Sequence, residues 1–385
     1  EVSKAFSSFL PRINFQSSYS RVERLPEFTV GAGPFAQRVP FGFKDNYQNN
    51  INLSYIICSG GLRLDAYNVA KNMVYVRMME LEKARLELRN RIENAYYGYK
   101  LAEASLVIAE SSLSRAEKHL EVTREQYNRG MVPHLSVMES ELALSQARLS
   151  VSEAQRQLEL ARVALNLAVG FPADMVVKIE GDLEYIPNNF SIDTLMRFAF
   201  ANRPELKMFK YYFTISSITK NMALKKYLPT LGINLSYTYN KPFYYENEYK
   251  SNLTTTLFLS VPFFDGLYNK YDYDKAKIEL ERLISDERSF RQAVEFEVRA
   301  SYIELENADS SLAIAKKSLQ LAKSAFETAE EQFNRGFISN LEYKDAELQY
   351  TQAQFGYIYA LYKYLVARAN LMKASSLYGV KEEKR

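Results

Sequence analysis

Gln126-Tyr127-Asn128-Arg129-Gly130 recurs, 206 residues later, as Gln332-Phe333-Asn334-Arg335-Gly336. The same shift of 206 pairs Leu53-Ser54 with Leu259-Ser260, Gly60 with Gly266, Ala161-Arg162 with Ala367-Arg368, and Leu165 with Leu371. No insertion is needed over more than 100 residues. Loops absorb length changes and regular helices do not, so a register kept this long predicts long helices in a duplicated chain. Upstream, Leu10-Pro11-Arg12-Ile13-Asn14-Phe15 matches Leu228-Pro229-Thr230-Leu231-Gly232-Ile233 at a shift of 218, so the first copy carries 12 more residues in its loop.

The prolines agree. They stand at 11, 26, 34, 40, 133, 172, 187, 204, 229, 242 and 262, leaving 41–132 and everything after 262 free of them. Proline breaks helix interiors, so segments 62–129 and 267–335 can each run as one helix of nearly 70 residues. That is roughly 100 Å of helix, far beyond a globular one, and implies coiled-coil support. The seam is visible as Leu144, Ala147, Val151, Ala154, Leu158, Ala161, Leu165 and Ala168, repeated as Tyr350, Ala353, Tyr357, Ala360, Tyr364, Ala367, Leu371 and Ala374. An earlier pair of stripes runs Leu106, Ala109, Leu113, Ala116, Leu120 and Leu312, Ala315, Leu319, Ala322, Phe326. Alternating large and small residues let helix backbones approach and knobs fill holes, so the stripe is packing. Gly130 and Gly336 suit helix C-caps, and second helices restart near Leu135 and Leu341. Each copy therefore contains a helical hairpin with a tight, exposed tip.

The other end of each hairpin is β. Ile13, Phe15 and Tyr19 alternate with Asn14, Gln16, Ser18 and Ser20, and Ile51, Leu53, Tyr55 and Ile57 with Asn50, Asn52 and Ser54. In the second copy Leu231, Ile233, Leu235, Tyr237 and Tyr239 alternate with Gly232, Asn234, Ser236, Thr238 and Asn240; Leu253, Thr255, Leu257, Leu259 and Val261 alternate with Asn252, Thr254, Thr256 and Ser260. A half-buried soluble sheet also alternates. Here the apolar sets are rich in aromatics, with Phe243, Tyr244, Tyr245 and Tyr249 near one end, and the opposite face is Asn, Ser and Thr. That is the pattern of membrane-barrel strands around a hydrated lumen. Four strands cannot close a barrel, and an open edge is forbidden in lipid. The subunit must therefore oligomerise. Two copies give eight strands and three give twelve; helices around a shared axis favour three.

Composition excludes other classes. In 385 residues, 49 basic against 46 acidic side chains leave +3, too even for a nucleic-acid partner. Cys58 alone makes no internal disulfide, and His119 and His134 have no second His or Cys beside them. Gly31-Ala32-Gly33 is a lone G-x-G beside Pro34, read as loop. No catalytic, cofactor or metal constellation passes the geometric requirements of any reaction class, so the chain reads as not an enzyme. No apolar run reaches 18 residues, so no transmembrane helix is predicted. The chain opens at Glu1 without Met or a signal segment, as a processed chain would.

Together these features resemble the TolC family of outer-membrane efflux and secretion channels, over essentially the whole chain. The residues that carry the resemblance are Leu10-Pro11 and Leu228-Pro229 before the first strands, the strand-to-helix junctions Cys58-Ser59-Gly60-Gly61 and Phe264-Asp265-Gly266, the Gln-Tyr/Phe-Asn-Arg-Gly tips and the Ala-rich return helices. The resemblance implies a homotrimer with a 12-stranded barrel in the outer-membrane lipid of a Gram-negative-type bacterium and a long α-helical barrel in the periplasm. It also implies a periplasmic adaptor and an inner-membrane pump as partners, and a passive channel exporting substrate in a tripartite efflux or type I secretion system. Gly130, Met131, Val132, Gly336, Phe337 and Ile338 would meet the adaptor. Glu342 and Asp345 would face inward as carboxylate rings at the periplasmic constriction. Two positions depart from the family: its acidic residue in the first tip is Ser136 here, and its basic lock residue in the second is Ile338, so the closing links must differ.

The expected fold class is mainly α with membrane β in two tandem structural repeats. The first is residues 1–170, with strands about 12–24 and 48–58 and helices about 61–129 and 135–169. An equatorial segment and linker covers 171–227, with 171–205 outside the helical pattern and punctuated by Pro172, Pro187 and Pro204. The second repeat is 228–385, with strands about 230–241 and 250–264 and helices about 267–335 and 341–377. Only Glu1–Leu10 precede the first strand, where residues 191–227 supply a helical segment before the third, so an N-terminal helix is read as cut away, lost or left out. A soluble periplasmic coiled-coil scaffold and a secreted pore-forming toxin are the alternative readings.

Overall fold

A computed structural model describes residues 1–31, 33–177 and 179–377. In chain order it contains helix α1 (Val2–Ser7), strands β1 (Arg12–Arg21), β2 (Glu27–Val30), β3 (Gln37–Pro40) and β4 (Asp45–Ser59), then helices α2 (Leu62–Asn128) and α3 (His134–Val169). There follow α4 (Ile192–Asn202), α5 (Pro204–Lys225), β5 (Thr230–Lys241), β6 (Lys250–Ser260), α6 (Tyr268–Asn334) and α7 (Asn340–Ser375). The chain divides into two compact units: Glu1–Met78 with Met208–Glu287, and Met79–Lys207 with the residues from Arg288 on.

The first unit is built on an antiparallel sheet of order β1-β4-β5-β6. Ile13 stands opposite Leu53, Leu53 opposite Leu235, and Leu231 opposite Leu259. Side chains alternate along a strand, so this register gathers the odd-numbered apolar residues on one face and the Asn, Ser and Thr residues on the other. A bulge between Ile56 and Cys58 shifts the β4–β5 register by one near the helix junction. There Gly60 takes φ +60, and a Cβ on it would stand 2.6 Å from the Cβ of Leu228. The Lys225 ammonium, 2.6 Å from Asp65, ties the end of α5 to the first turn of α2.

The 12 extra residues of the first copy are not a plain loop. β2 and β3 form a hairpin in which Phe28 pairs with Val39. Gly31 (φ +100) and Gly33 (φ +64) turn it, as the loop reading required, and Ala32 lies outside the described residues. The hairpin escapes sequence reading because its strands have only four residues each.

The second unit buries Leu195 and Ala199 of α4 against Val294, Val298 and Leu305 of α6 and Leu361, Tyr364, Leu365 and Leu371 of α7. The stretch 171–205 thus leaves the helical pattern only up to residue 191. α4 fits between Pro187 and Pro204, and the Ser191 hydroxyl caps it by accepting from the Thr194 N–H at 3.4 Å. The end of the second copy's seam, Tyr364, Ala367, Leu371 and Ala374, is buried. Of the matching first-copy residues, Leu165 is buried and Leu158, Ala161 and Ala168 are half-buried. One chain covers that seam in part.

Candidate functional site

Two places in the chain carry the groups that matter, one in each unit. The first is the sheet. Its apolar face is bare: Phe15, Ile13 and Leu257 are 68%, 66% and 66% exposed. Tyr19, Tyr47, Tyr239 and Tyr249 gather at the hairpin end, with ring centroids 4.9–6.0 Å apart. Phe6, Phe9 and Tyr55 stand at the helix end, where the Arg63 guanidinium lies 5.2 Å over Phe9 and 5.8 Å over Tyr55. An apolar band between two aromatic belts is what a bilayer requires of a barrel exterior. The opposite face is hydrophilic, and Phe258 interrupts it by lying across Gly232, whose added Cβ would meet the ring at 2.5 Å. β1 and β6 each have one edge with no strand beside it among the described residues.

The second place is the pair of helix tips, which end alike. Gly130 (φ +71) and Gly336 (φ +76) occupy the left-handed position. The Gly130 N–H donates to Tyr127 O at 2.8 Å and Met131 N–H to Gln126 O at 2.9 Å; Gly336 N–H donates to Phe333 O and Phe337 N–H to Gln332 O, both at 2.9 Å. This doubled closure satisfies the last helix carbonyls. It turns Met131 and Phe337 outward, 65% and 74% exposed, while Val132 and Ile338 are half-buried. Ile338 packs on Phe326, Phe333 and Tyr343.

The restarts differ. α3 begins behind Pro133 with no side-chain cap. α7 begins with a reciprocal capping box: Ser339 Oγ accepts from the Glu342 N–H at 3.3 Å, and Glu342 accepts from the Ser339 N–H at 2.7 Å and hydroxyl at 2.8 Å. These bonds hold the Glu342 carboxyl below its ordinary range, so it is charged. Glu342 is both a cap and an exposed anion; Asp345, three residues on, is exposed as well.

Above the tips lies a polar cluster that joins the two hairpins of one chain. His119 of α2 is buried, its Nε2 2.7 Å from Asn340 Oδ1, and Asn340 Nδ2 donates to Glu139 of α3 at 3.1 Å. Lys344 Nζ donates to the Glu139 carbonyl at 2.7 Å. The imidazole stacks on Tyr343 at 4.4 Å and lies 5.0 Å from the Phe333 ring. One stretch of helix away, Arg115 Nε donates to Glu347 at 3.1 Å and Nη2 to Thr351 at 3.0 Å, with the guanidinium over Phe326 and Tyr350. Burial holds His119 below its usual range and Glu347 above the usual carboxylate range, the latter despite Arg115. Burial likewise lowers Lys344 and raises the Tyr343 hydroxyl.

The sequence alone did not find this cluster, though a signal was there. Arg115 and His119 correspond under the repeat to Leu321 and Ala325, so the two copies differ in polarity at these points. His134 is exposed beside Tyr127, and Cys58 is exposed. Among the described residues no His, Cys, Asp and Glu group is placed to hold a metal, and no helix is long and apolar enough to cross a membrane.

Comparisons with known proteins bear on both places. The profile of the outer membrane efflux protein family matches residues 2–171 and 195–376. The probable efflux pump outer membrane protein TtgC of Pseudomonas putida is 22% identical over 376 residues, 93% of this chain and 76% of that one. The CmeC outer membrane channel of Campylobacter jejuni superposes with a TM-score of 0.74 at 18% identity, covering 97% of this chain and 79% of its own. The open-state MtrE outer membrane channel of Neisseria gonorrhoeae gives 0.74 and 18%, covering 97% and 82%. At such identity the superpositions establish a shared fold.

Proposed function

The chain belongs to the outer membrane efflux protein family, and from that premise we propose that three copies share one twelve-stranded barrel and act as a passive conduit rather than a catalyst. It is an efflux channel of the outer membrane that extends into the periplasm. The observation that carries the shared barrel is the sheet: four strands, one bare apolar face, one polar face and two edges with no strand beside them among the described residues; the long helices around a shared axis favour three copies over two. Lipid admits no open edge and four strands enclose no lumen. A periplasmic adaptor and an inner-membrane pump complete the assembly, because a passive tube needs a partner to supply energy. Met131 and Phe337, presented by the closures at Gly130 and Gly336 and seated by Val132 and Ile338, are the adaptor contacts. A soluble scaffold would leave the bare apolar face without purpose.

Glu342 and Asp345 form the periplasmic carboxylate rings in this reading, and such rings favour cations. Their exposure and the ionised state of Glu342 support it. The experiment is reversal-potential measurement in planar bilayers under a KCl gradient, with protein shown to be trimeric by native mass spectrometry. Wild type is expected to prefer cations, and Glu342→Gln with Asp345→Asn to lose most of that preference. An unchanged reversal potential in the double variant would remove both residues from the constriction. A detergent-free monomer would remove the channel.

A further inference from the structure

The hydrated face of the sheet is interrupted at one place. Its even-numbered positions along β1, β4, β5 and β6 carry Asn, Gln, Ser and Thr, with Arg12 and Lys250 at strand ends. Ile56 and Phe258 are the apolar side chains among them, since the bulge carries Cys58 opposite Leu231 and so to the other face. Both stand directly opposite Gly232, Ile56 from β4 and Phe258 from β6. Residues paired across strands share a face, so the three form one row. The Phe258 ring reaches over the middle strand, where an added Cβ on Gly232 would meet its Cζ at 2.5 Å. Gly232 is buried beneath it, while Phe258 is half-buried and Ile56 is 36% exposed.

The duplication supplies an internal control. The shifts of 218 and 206 carry Asn14 onto Gly232 and Asn52 onto Phe258, and Asn14 stands opposite Asn52 in β1–β4. The same pairing is thus made once with two amides and once with a glycine and an aromatic ring. Strand geometry does not require the ring. An aromatic side chain facing water is also unfavourable unless it meets something apolar. The rows on either side, Ser54–Asn234–Thr256 and Thr230–Ser260, offer only polar groups.

We propose that Ile56 and Phe258 form an apolar contact site on the lumen wall that binds the aromatic part of an exported small organic molecule. This deepens the channel reading and rests on it, since it takes the polar face as the lumen. A planar solute packs its ring against Phe258 in an offset or edge-to-face arrangement. Ile56 extends the contact on the other side of Gly232, and the flanking Ser54, Asn234 and Thr256 bond the solute's polar substituents. Weak binding suits passage, because a site in a conduit must release what it takes.

The test uses the full chain assembled in lipid nanodiscs, with phenyl β-glucoside and methyl β-glucoside as uncharged, water-soluble probes. Saturation-transfer difference NMR on wild type is expected to mark the phenyl protons strongly and methyl β-glucoside several-fold less. The first variant is Gly232→Asn with Phe258→Asn, which writes the Asn14–Asn52 pair into the second copy and so keeps a pairing the fold already holds. It should lose most of the phenyl signal. The second is Ile56→Ser, which leaves the Gly232–Phe258 contact in place and should lose part of it. An undiminished phenyl signal in either assembled variant overturns the site and leaves the channel standing, as does a wild type that marks both probes alike. The chain contains no Trp, so Phe258→Trp gives one reporter of the face itself. Quenching by acrylamide in the water and not by brominated lipid is expected. The reverse places the ring in the bilayer and defeats the channel reading, and the site with it.

Discussion

His119 is held neutral mainly by burial; the Asn340 hydrogen bond offsets this in part and Lys344 adds to it. The groups facing it are Glu139 on α3, Asn340 and Lys344 on α7, and the rings of Phe333 and Tyr343. In the unfolded chain the ring titrates near 6.5. Its folded value is lower, so the unfolded chain takes up the proton first as pH falls. The sign follows: stability is complete above about pH 6.5 and is lost below it. Thermal unfolding in detergent should show a decline in Tm from pH 7 to 5 that is clearly smaller in His119→Phe; equal slopes would refute the assignment. Arg115 and Glu347, 17% and 15% exposed, form the other link. Glu347→Ala leaves the guanidinium without its anion and should cost about 3 kcal/mol, the range for one partner of a buried pair, whereas changing both residues to Met should cost less. At this scale the sequence said least, because a single buried His or Arg gains meaning only from helices more than 200 positions away.

Among the elements, the strand faces and the long helices were legible, since alternation and the absence of proline are local properties of a chain. The hairpin of β2 and β3 was not, its strands having only four residues each, and helix α4 was read only as part of one helical segment over 191–227. The Gly232–Phe258 contact is another element-level feature. Gly232→Ala forces the Phe258 ring aside and should destabilise by about 1–3 kcal/mol, as overpacking does. In a Phe258→Ala background the same change should be nearly neutral, and a cost that persists there would place the strain elsewhere. The capping box is worth about 1 kcal/mol, so Ser339→Ala should lower stability by that much; an unchanged Tm would show the cap to be idle.

For the whole molecule, the decisive asymmetry is between the faces of one sheet. Leu253→Lys puts a charge on the face read as lipid-facing and should cost about 2–4 kcal/mol if it lies near the bilayer midplane, while Thr254→Lys, its neighbour on the hydrated face, should be close to neutral. Unfolding from lipid vesicles measures both, and the reverse order would turn the barrel inside out. That polarity was readable from composition by position; the number of copies was read as three only indirectly, from helices around a shared axis, because closure depends on edges that a single chain leaves open.

The unequal restarts of the two tips carry a consequence in time. α3 opens behind Pro133 with no side-chain cap, only the Ser136 N–H reaching the Pro133 carbonyl at 3.0 Å, whereas α7 opens with its first turn bound reciprocally by Ser339 and Glu342. Fraying is easiest where orphan amides have no partner. Amide hydrogens of residues 135–137 should therefore exchange with deuterium faster than those of residues 341–343, so that of two hairpins alike in sequence, the first is the one that breathes.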